Sequence, residues 1–131
     1  MDNKALAQII SNVSELKYKF VGSFAADQVP PLYRNSFVII NTDPSFMEGT
    51  HWIMLANKEG TIYYGDALGQ PLSSYKYVKT MKVKQLVYST IQTLPLCGFY
   101  CIYFAWTVFK GLQIDTFFND FDLIQFIHKY M

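Results

Sequence analysis

The chain has 131 residues, with 11 basic and 10 acidic side chains and a net charge of +1. This length suits one domain, residues 1–131, and a composition of 51% hydrophobic and 18% aromatic residues excludes a disordered chain. The near-neutral charge gives no general reason to expect nucleic acid or an anionic membrane as a partner.

The N-terminal segment is predicted to form an amphipathic helix. Apolar residues follow Asp2, a good N-cap, at helical spacing: Leu6, Ile9, Ile10, Val13 and Leu16. The early acidic residue and the missing apolar core do not match a signal peptide. The longest apolar stretch, residues 94–109, is shorter than the roughly 20 residues of a membrane span. We therefore expect an intracellular protein without a membrane partner.

The middle of the chain predicts a sheet. "FVGSF" (20–24) reads as a short extended piece, and "SFVIINT" (36–42) is apolar enough to be buried on both faces. "THWIMLA" and "TIYYGD" are β-rich runs separated by "NKEG", which indicates a hairpin. A short helical turn is expected near residues 73–78, and a strand over "VKQLVYS" (83–89).

Two further helices are predicted at the C-terminal end. The apolar run from Cys97 to Lys110 is followed by Gly111, the residue expected just after a helix. Residues 120–131, "DFDLIQFIHKYM", carry four apolar residues at helical spacing: Leu123, Phe126, Ile127 and Tyr130. Helices before and after a sequential set of strands predict the α+β class.

The two cysteines, Cys97 and Cys101, are too few for a disulfide framework and are expected to be reduced thiols. In the first helical turn, Cys97 would face unpaired backbone N–H groups and the positive end of the helix dipole, which favour a thiolate. Gly98 leaves room for the backbone of a substrate. Cys101, one turn further on, is expected in the core. Taken alone, a cysteine at the head of an apolar helix is more often a core residue than a catalytic one.

An activated cysteine needs a base and a group that orients the base. Of the two histidines, His128 belongs to the terminal helix, whereas His51 begins a predicted strand. Asp66 ends the next strand, and hairpin pairing brings it to the same edge of the sheet as His51. The side-chain amide of Gln92 and the N–H of Cys97 could then stabilise an oxyanion.

The order His51-Trp52, Asp66, Gln92 and Cys97-Gly98 resembles that of the adenovirus-type cysteine proteases, which are related to proteases of ubiquitin-like modifiers. Five segments resemble the adenoviral enzymes in the same order and cover about residues 20–104: "FVGSF", "VIINT", "GTHWIMLA", "YYGDALG" and "LCGFYCIYF". The resemblance implies a mixed sheet packed on a central helix that bears the nucleophile at its N-terminus.

The resemblance also implies roles for individual residues. Cys97 would attack the substrate, His51 would be the general base, Asp66 would orient it and Gln92 would line the oxyanion hole. Gly49 and Trp52 would contact the substrate. The chain departs from the adenoviral pattern in its shorter length, in Asp at position 66 and in the five-residue offset between Gln92 and Cys97.

By the same resemblance, the substrates would be viral or virus-like precursor proteins with small residues near the cut, processed in the host nucleus or cytoplasm or in the virion. We expect a monomer without cofactor or metal. The adenoviral enzymes are activated by DNA and by a capsid-derived peptide held partly through an additional cysteine. This chain has no third cysteine and little net charge, which argues against both activators.

Three alternatives remain open from the sequence. The same chemistry would suit a protease of ubiquitin-like modifiers, acting on a Gly-Gly tail. The fold could also serve as a binding module that has lost catalysis. Finally, Cys97, Cys101 and the two histidines are residue types that bind zinc, although the histidines lie far apart in the sequence.

Overall fold

The computed structural model describes residues 3–47, 51–92, 96–114 and 118–130. In these ranges the chain forms a five-stranded mixed sheet packed against helices, which is compatible with the predicted α+β class. The elements in chain order are α1 (Asn3–Ser11), β1 (Phe20–Phe24), β2 (Ser36–Asn41), β3 (Trp52–Lys58), β4 (Thr61–Gly65), a 3₁₀ turn (Leu72–Ser74), β5 (Lys84–Gln85), α2 (Cys97–Lys110) and α3 (Asp120–Tyr130).

The strands lie in the order in which they occur in the sequence, β1-β2-β3-β4-β5. The inner pairs β2–β3 and β3–β4 are antiparallel, whereas β1 and β5 add to the edges in parallel. All six residues of β2 are buried, which confirms the prediction that this strand is covered on both faces. Phe37 and Ile39 of β2 face the helices, while Val38 and Ile40 face a second apolar cluster on the other side.

The predicted hairpin is present, with a tighter turn than the four-residue loop inferred from "NKEG". Lys58 pairs with Thr61, so only Glu59 and Gly60 connect β3 to β4. Their φ angles are 53° and 89°, the two positive values that a type I′ turn requires and that match the twist of a hairpin. This short connection fixes the register of β3 against β4, and with it the relative positions of the residues at their far ends.

The N-terminal helix is shorter than predicted. It ends at Ser11, and the buried residues Val13 and Leu16 lie in the turns that follow, where Leu16 donates its N–H to the carbonyl of Val13 at 2.9 Å. The serine and asparagine residues around position 12 favour such turns over a continuing helix. Asp2, the predicted N-cap, lies outside the described residues.

The strand predicted over residues 83–89 is also shorter, because only Lys84 and Gln85 pair with β4. Strand β4 ends at Gly65, and the chain beyond it turns away at Asp66, so later residues have no neighbouring strand to continue the ladder. The helical turn expected near residues 73–78 is a 3₁₀ turn at Leu72–Ser74.

The two C-terminal helices are confirmed at the predicted positions. Helix α2 ends at Gly111, whose φ of 71° is the left-handed conformation of a helix C-terminus. Helix α2 packs on β3, and α3 covers α2, so the helix that begins at Cys97 is buried between the sheet and the last helix. Within the described ranges, no helix has the length and hydropathy to cross a membrane.

Candidate active site

Cys97 is the first residue of α2, and its side chain is half-buried. Its sulfur faces the side chain of His51 and the backbone N–H groups of Trp52 and Gly98, which lower the pKa of the thiol. Trp52 is the first residue of β3, so the packing of α2 on β3 brings the thiol to the end of the strand that carries the histidine.

His51 and Asp66 meet at the same edge of the sheet, as the hairpin spacing predicted. Met54 pairs with Gly65, so Asp66 follows directly after the last paired residue of β4. The Nε2 atom of His51 lies 2.6 Å from Oδ1 of Asp66, and both residues are buried. Because Nε2 is occupied by the carboxylate, Nδ1 is the ring nitrogen left for the thiol of Cys97.

Asp66 is completely buried and accepts hydrogen bonds on both carboxylate oxygens. Besides His51, the donors are the backbone N–H groups of Leu68 (3.0 Å) and Gln70 (3.2 Å) and the hydroxyl group of Tyr75. The hydroxyl of Tyr64 lies 3.3 Å from the carboxylate but only 2.6 Å from the carbonyl oxygen of Gln70, to which it donates. This number of donors is what an ionised carboxylate needs away from water. Asp66 is therefore held as an anion with a fixed orientation towards His51.

The pKa values at this site shift in the directions that activate a thiol. Burial disfavours charge on all three groups, but the hydrogen bonds between them outweigh it. The pKa of Asp66 is lowered, that of His51 is raised to about 9, and that of Cys97 is lowered by the hydrogen bonds from His51 and the Trp52 N–H. Compared with an isolated thiol and imidazole, the site thus favours a Cys97 thiolate beside a His51 imidazolium.

Gln92 lies next to this cluster, in the segment that precedes α2. Its backbone N–H is 3.4 Å from the carbonyl oxygen of Ala67, which follows Asp66 in the chain. Among the residues that the structure describes, its buried side-chain oxygen Oε1 has no hydrogen-bond partner. That the side-chain amide nitrogen of Gln92 would bind an oxyanion stays a prediction.

The two predicted substrate contacts have different outcomes. Gly49 lies outside the described residues. The half-buried side chain of Trp52 packs against the core beneath α2 and also lines a cleft of about 300 Å³. A larger cavity of about 610 Å³ lies on the opposite face of the sheet, against Val38, Ile40 and Leu55, and contains no residue of the cysteine site.

The sequence interpretation missed the residues that hold Asp66. Tyr75 donates to Asp66, and its ring lies 5.9 Å from the imidazole of His51. Nothing in the sequence around Tyr75 marks it, because it lies in a loop without periodicity. The two backbone donors were easier to predict from the sequence. An aspartate followed three residues later by glycine is typical of a turn in which the side chain binds nearby N–H groups.

The other cysteine and histidine are not part of the site. Cys101 is 1% exposed, and burial raises the pKa of its thiol well above the usual range. His128 is exposed in the last turn of α3. Among the residues that the structure describes, no group of three or more His, Cys, Asp and Glu side chains could hold a metal ion. No protein-family model and no curated protein sequence matches the chain.

Proposed function

We propose that the protein is a thiol endopeptidase with a Cys97–His51–Asp66 triad. The observation that carries this proposal is the continuous hydrogen-bonded chain from a thiol at a helix N-terminus, through a buried imidazole, to a fully buried carboxylate. A structural ion pair would not require a half-exposed sulfur at its end, whereas a nucleophile must be reachable by its substrate.

In the proposed reaction, the thiolate of Cys97 attacks the scissile carbonyl carbon. The backbone N–H of Cys97 and the side-chain amide of Gln92 stabilise the oxyanion, and the imidazolium of His51 gives its proton to the leaving amine. The neutral imidazole then takes a proton from water, whose hydroxide attacks the thioester and releases the acid and the thiolate. Asp66 remains ionised throughout and keeps His51 in one orientation.

The resemblance to the adenovirus-type proteases supports a narrower proposal. The mixed sheet packed on α2, with Cys97 at the start of that helix, agrees with the arrangement that the resemblance implies. The substrates would be viral or virus-like precursor proteins with glycine or another small residue near the cut. Gly98 is buried in the structure, so the choice of substrate rests on the resemblance and not on access at this glycine.

Thiol labelling tests the activated thiolate, and Cys101 is the internal control. With iodoacetamide at about pH 7, Cys97 should react at least about tenfold faster than Cys101, because its pKa is lowered and Cys101 is buried with a raised pKa. The labelling rate of Cys97 should fall only when the pH drops through the lowered pKa of this thiol. His51→Gln should move that fall to higher pH. Equal labelling of the two cysteines would refute the activated thiolate.

Peptide cleavage tests the activity itself. A glycine-containing peptide should be cut by the native chain and by Cys101→Ala but not by Cys97→Ala. The value of kcat/KM should decline above about pH 9, where His51 loses the proton that the leaving amine needs. Comparison with a ubiquitin-like modifier extended at its Gly-Gly tail separates the two substrate classes. A Cys97→Ala variant that still cleaves would overturn the proposal.

A further inference from the structure

A cleft of about 300 Å³ lies between the end of β1 and residues 41–47, and Trp52, the residue that follows His51, is part of its lining. Trp52 forms one wall, and the N–H of the same residue bonds the sulfur of Cys97. Thr42 donates its N–H to the carbonyl oxygen of His51 at 2.9 Å, and its neighbours Asn41 and Asp43 both line the cleft. The cleft therefore adjoins both the base and the nucleophile through directly bonded backbone.

The walls of this cleft are held by hydrogen bonds. Asp43 donates its N–H to Oδ1 of the buried Asn41 at 2.9 Å and accepts the N–H of Ala26 at 3.0 Å on its carbonyl oxygen. Ser45 donates both its N–H and its hydroxyl to the carboxylate of Asp27, at 2.7 and 2.8 Å. The cleft is thus largely formed before any ligand binds, which lowers the entropy cost of binding.

The charge of the cleft is negative. Asp43 is in its lining, and no Lys or Arg belongs to its described lining residues. Asp27 lines the larger cavity, but its carboxylate accepts hydrogen bonds from Ser45 of this cleft. The hydrogen bonds from Ser45 lower the pKa of Asp27, which keeps that carboxylate ionised. Apolar surface is also present, since Trp52 and Met47 contribute to the walls and Phe46, in the adjoining turn, is 79% exposed.

An aliphatic stem with a cationic end fits this combination of apolar walls and carboxylates. We infer that the cleft is a substrate subsite that binds a lysine or arginine side chain close to the scissile bond. This inference rests on the proposed protease function and adds a specificity to it. The stem would lie along Trp52 and Met47, and the charged end would face Asp43.

Matched peptides test the subsite. Fluorogenic peptides with one small residue at the cut would carry Lys, Arg, Gln or Glu at successive positions on either side. At one position, kcat/KM should be about fivefold higher for Lys or Arg than for Gln, the factor expected for a partly solvated ion pair. The preference should shrink in high salt, which screens such a pair.

Two variants test whether the carboxylate of Asp43 causes the preference for a basic side chain. Asp43→Asn should bring the ratio of kcat/KM for Lys and Gln peptides close to one. Glu59→Gln, which removes a carboxylate from the distant hairpin turn, should retain the native ratio. The thermal transition of each variant shows whether it is folded. Cleavage without any preference for a basic residue, at every position, would overturn the subsite while leaving the protease function intact.

If no peptide is cleaved, binding separates the two proposals. The fluorescence anisotropy of labelled Lys and Gln peptides can be followed on Cys97→Ala with and without Asp43→Asn. Tighter binding of the Lys peptide, lost in the Asp43 variant, would keep the subsite and refute the protease function alone. Equal binding of both peptides would overturn the subsite.

Discussion

Cys97 and Cys101 are one helical turn apart, and their surroundings give their thiols opposite chemistry. Cys97 receives backbone N–H groups and the imidazole of His51, which stabilise a negative sulfur. Cys101 is enclosed by the core, where a thiolate would lose its hydration, so the pKa of this thiol rises. The difference comes mainly from burial and from His51: burial is complete at Cys101, whereas at Cys97 it is offset by the imidazole and by the Trp52 N–H.

Gln92 is the residue whose proposed role depends most on a measurement. Gln92→Ala should lower kcat by about 100-fold or more with a smaller change in KM, because an oxyanion donor acts mainly in the transition state. Gln92→Glu should be at least as slow, since it replaces the donor with a negative charge. Gln8→Ala, in the exposed face of α1, is the control. An unchanged kcat in Gln92→Ala would remove this residue from the mechanism.

The proximity of His51 and Asp66 followed from the sequence because hairpin pairing converts spacing along the chain into position in space. Tyr64 lies two residues from Asp66, but spacing along the chain does not tell whether its hydroxyl points towards the carboxylate. Tyr75 reaches Asp66 from a loop, and no pattern of spacing predicts that approach. The pairing of His51 with Asp66 was thus predictable from strand register and the place of Cys97 from the resemblance, whereas the donors that hold Asp66 depended on loop conformation.

At the scale of elements, the loop after β4 determines how Asp66 is held. Gly69 donates its N–H to the carbonyl oxygen of Asp66 at 2.8 Å, which closes a tight turn. This turn aims the N–H groups of Leu68 and Gln70 at the carboxylate. Gly69 has a φ of 69°, and a Cβ atom there would lie 2.4 Å from the backbone of Ser89. The turn therefore has room for glycine alone.

Gly69→Ala should lower the free energy of unfolding by about 3 kcal/mol or more, because strain at positive φ adds to a clash with backbone that cannot move freely. Gly60→Ala is the matched control: its φ of 89° is also positive, but a Cβ atom there would meet nothing within 4 Å. It should cost about 1 kcal/mol. Urea titrations measure both, and equal losses would contradict the proposed crowding at Gly69.

The order of the elements also explains which parts of the fold were predictable. Strands β2, β3 and β4 and helix α2 have long apolar runs with clear ends, and all four lie where the sequence predicts. Strand β5 depends on a partner that ends at Gly65, so its length is set by β4 and not by its own residues. The end of α1 is likewise decided by local turns, although four of the five predicted apolar residues are buried and Ile9 is partly buried.

At the scale of the whole molecule, the candidate site lies where the sheet meets the start of α2. The sheet supplies His51 and Asp66, α2 supplies Cys97, and α3 closes the core over α2. Tyr100, three residues after the nucleophile, is completely buried and donates its hydroxyl to Oδ1 of Asp120 at 2.6 Å. The same hydroxyl is 3.3 Å from the carbonyl oxygen of Ile91, beside Gln92. It therefore connects α2, α3 and the segment before the nucleophile.

Tyr100→Phe should destabilise the fold by about 1.5–3 kcal/mol, the range for a hydrogen bond to a charged group, since the ring and its aromatic neighbours remain while the hydroxyl is lost. Tyr88→Phe, at a site that is 77% exposed, should change stability by no more than about 0.5 kcal/mol. In urea titrations the midpoint of Tyr100→Phe should fall while the slope stays constant, because the surface exposed on unfolding is unchanged. A midpoint equal to that of Tyr88→Phe would show that α3 is held by apolar packing alone.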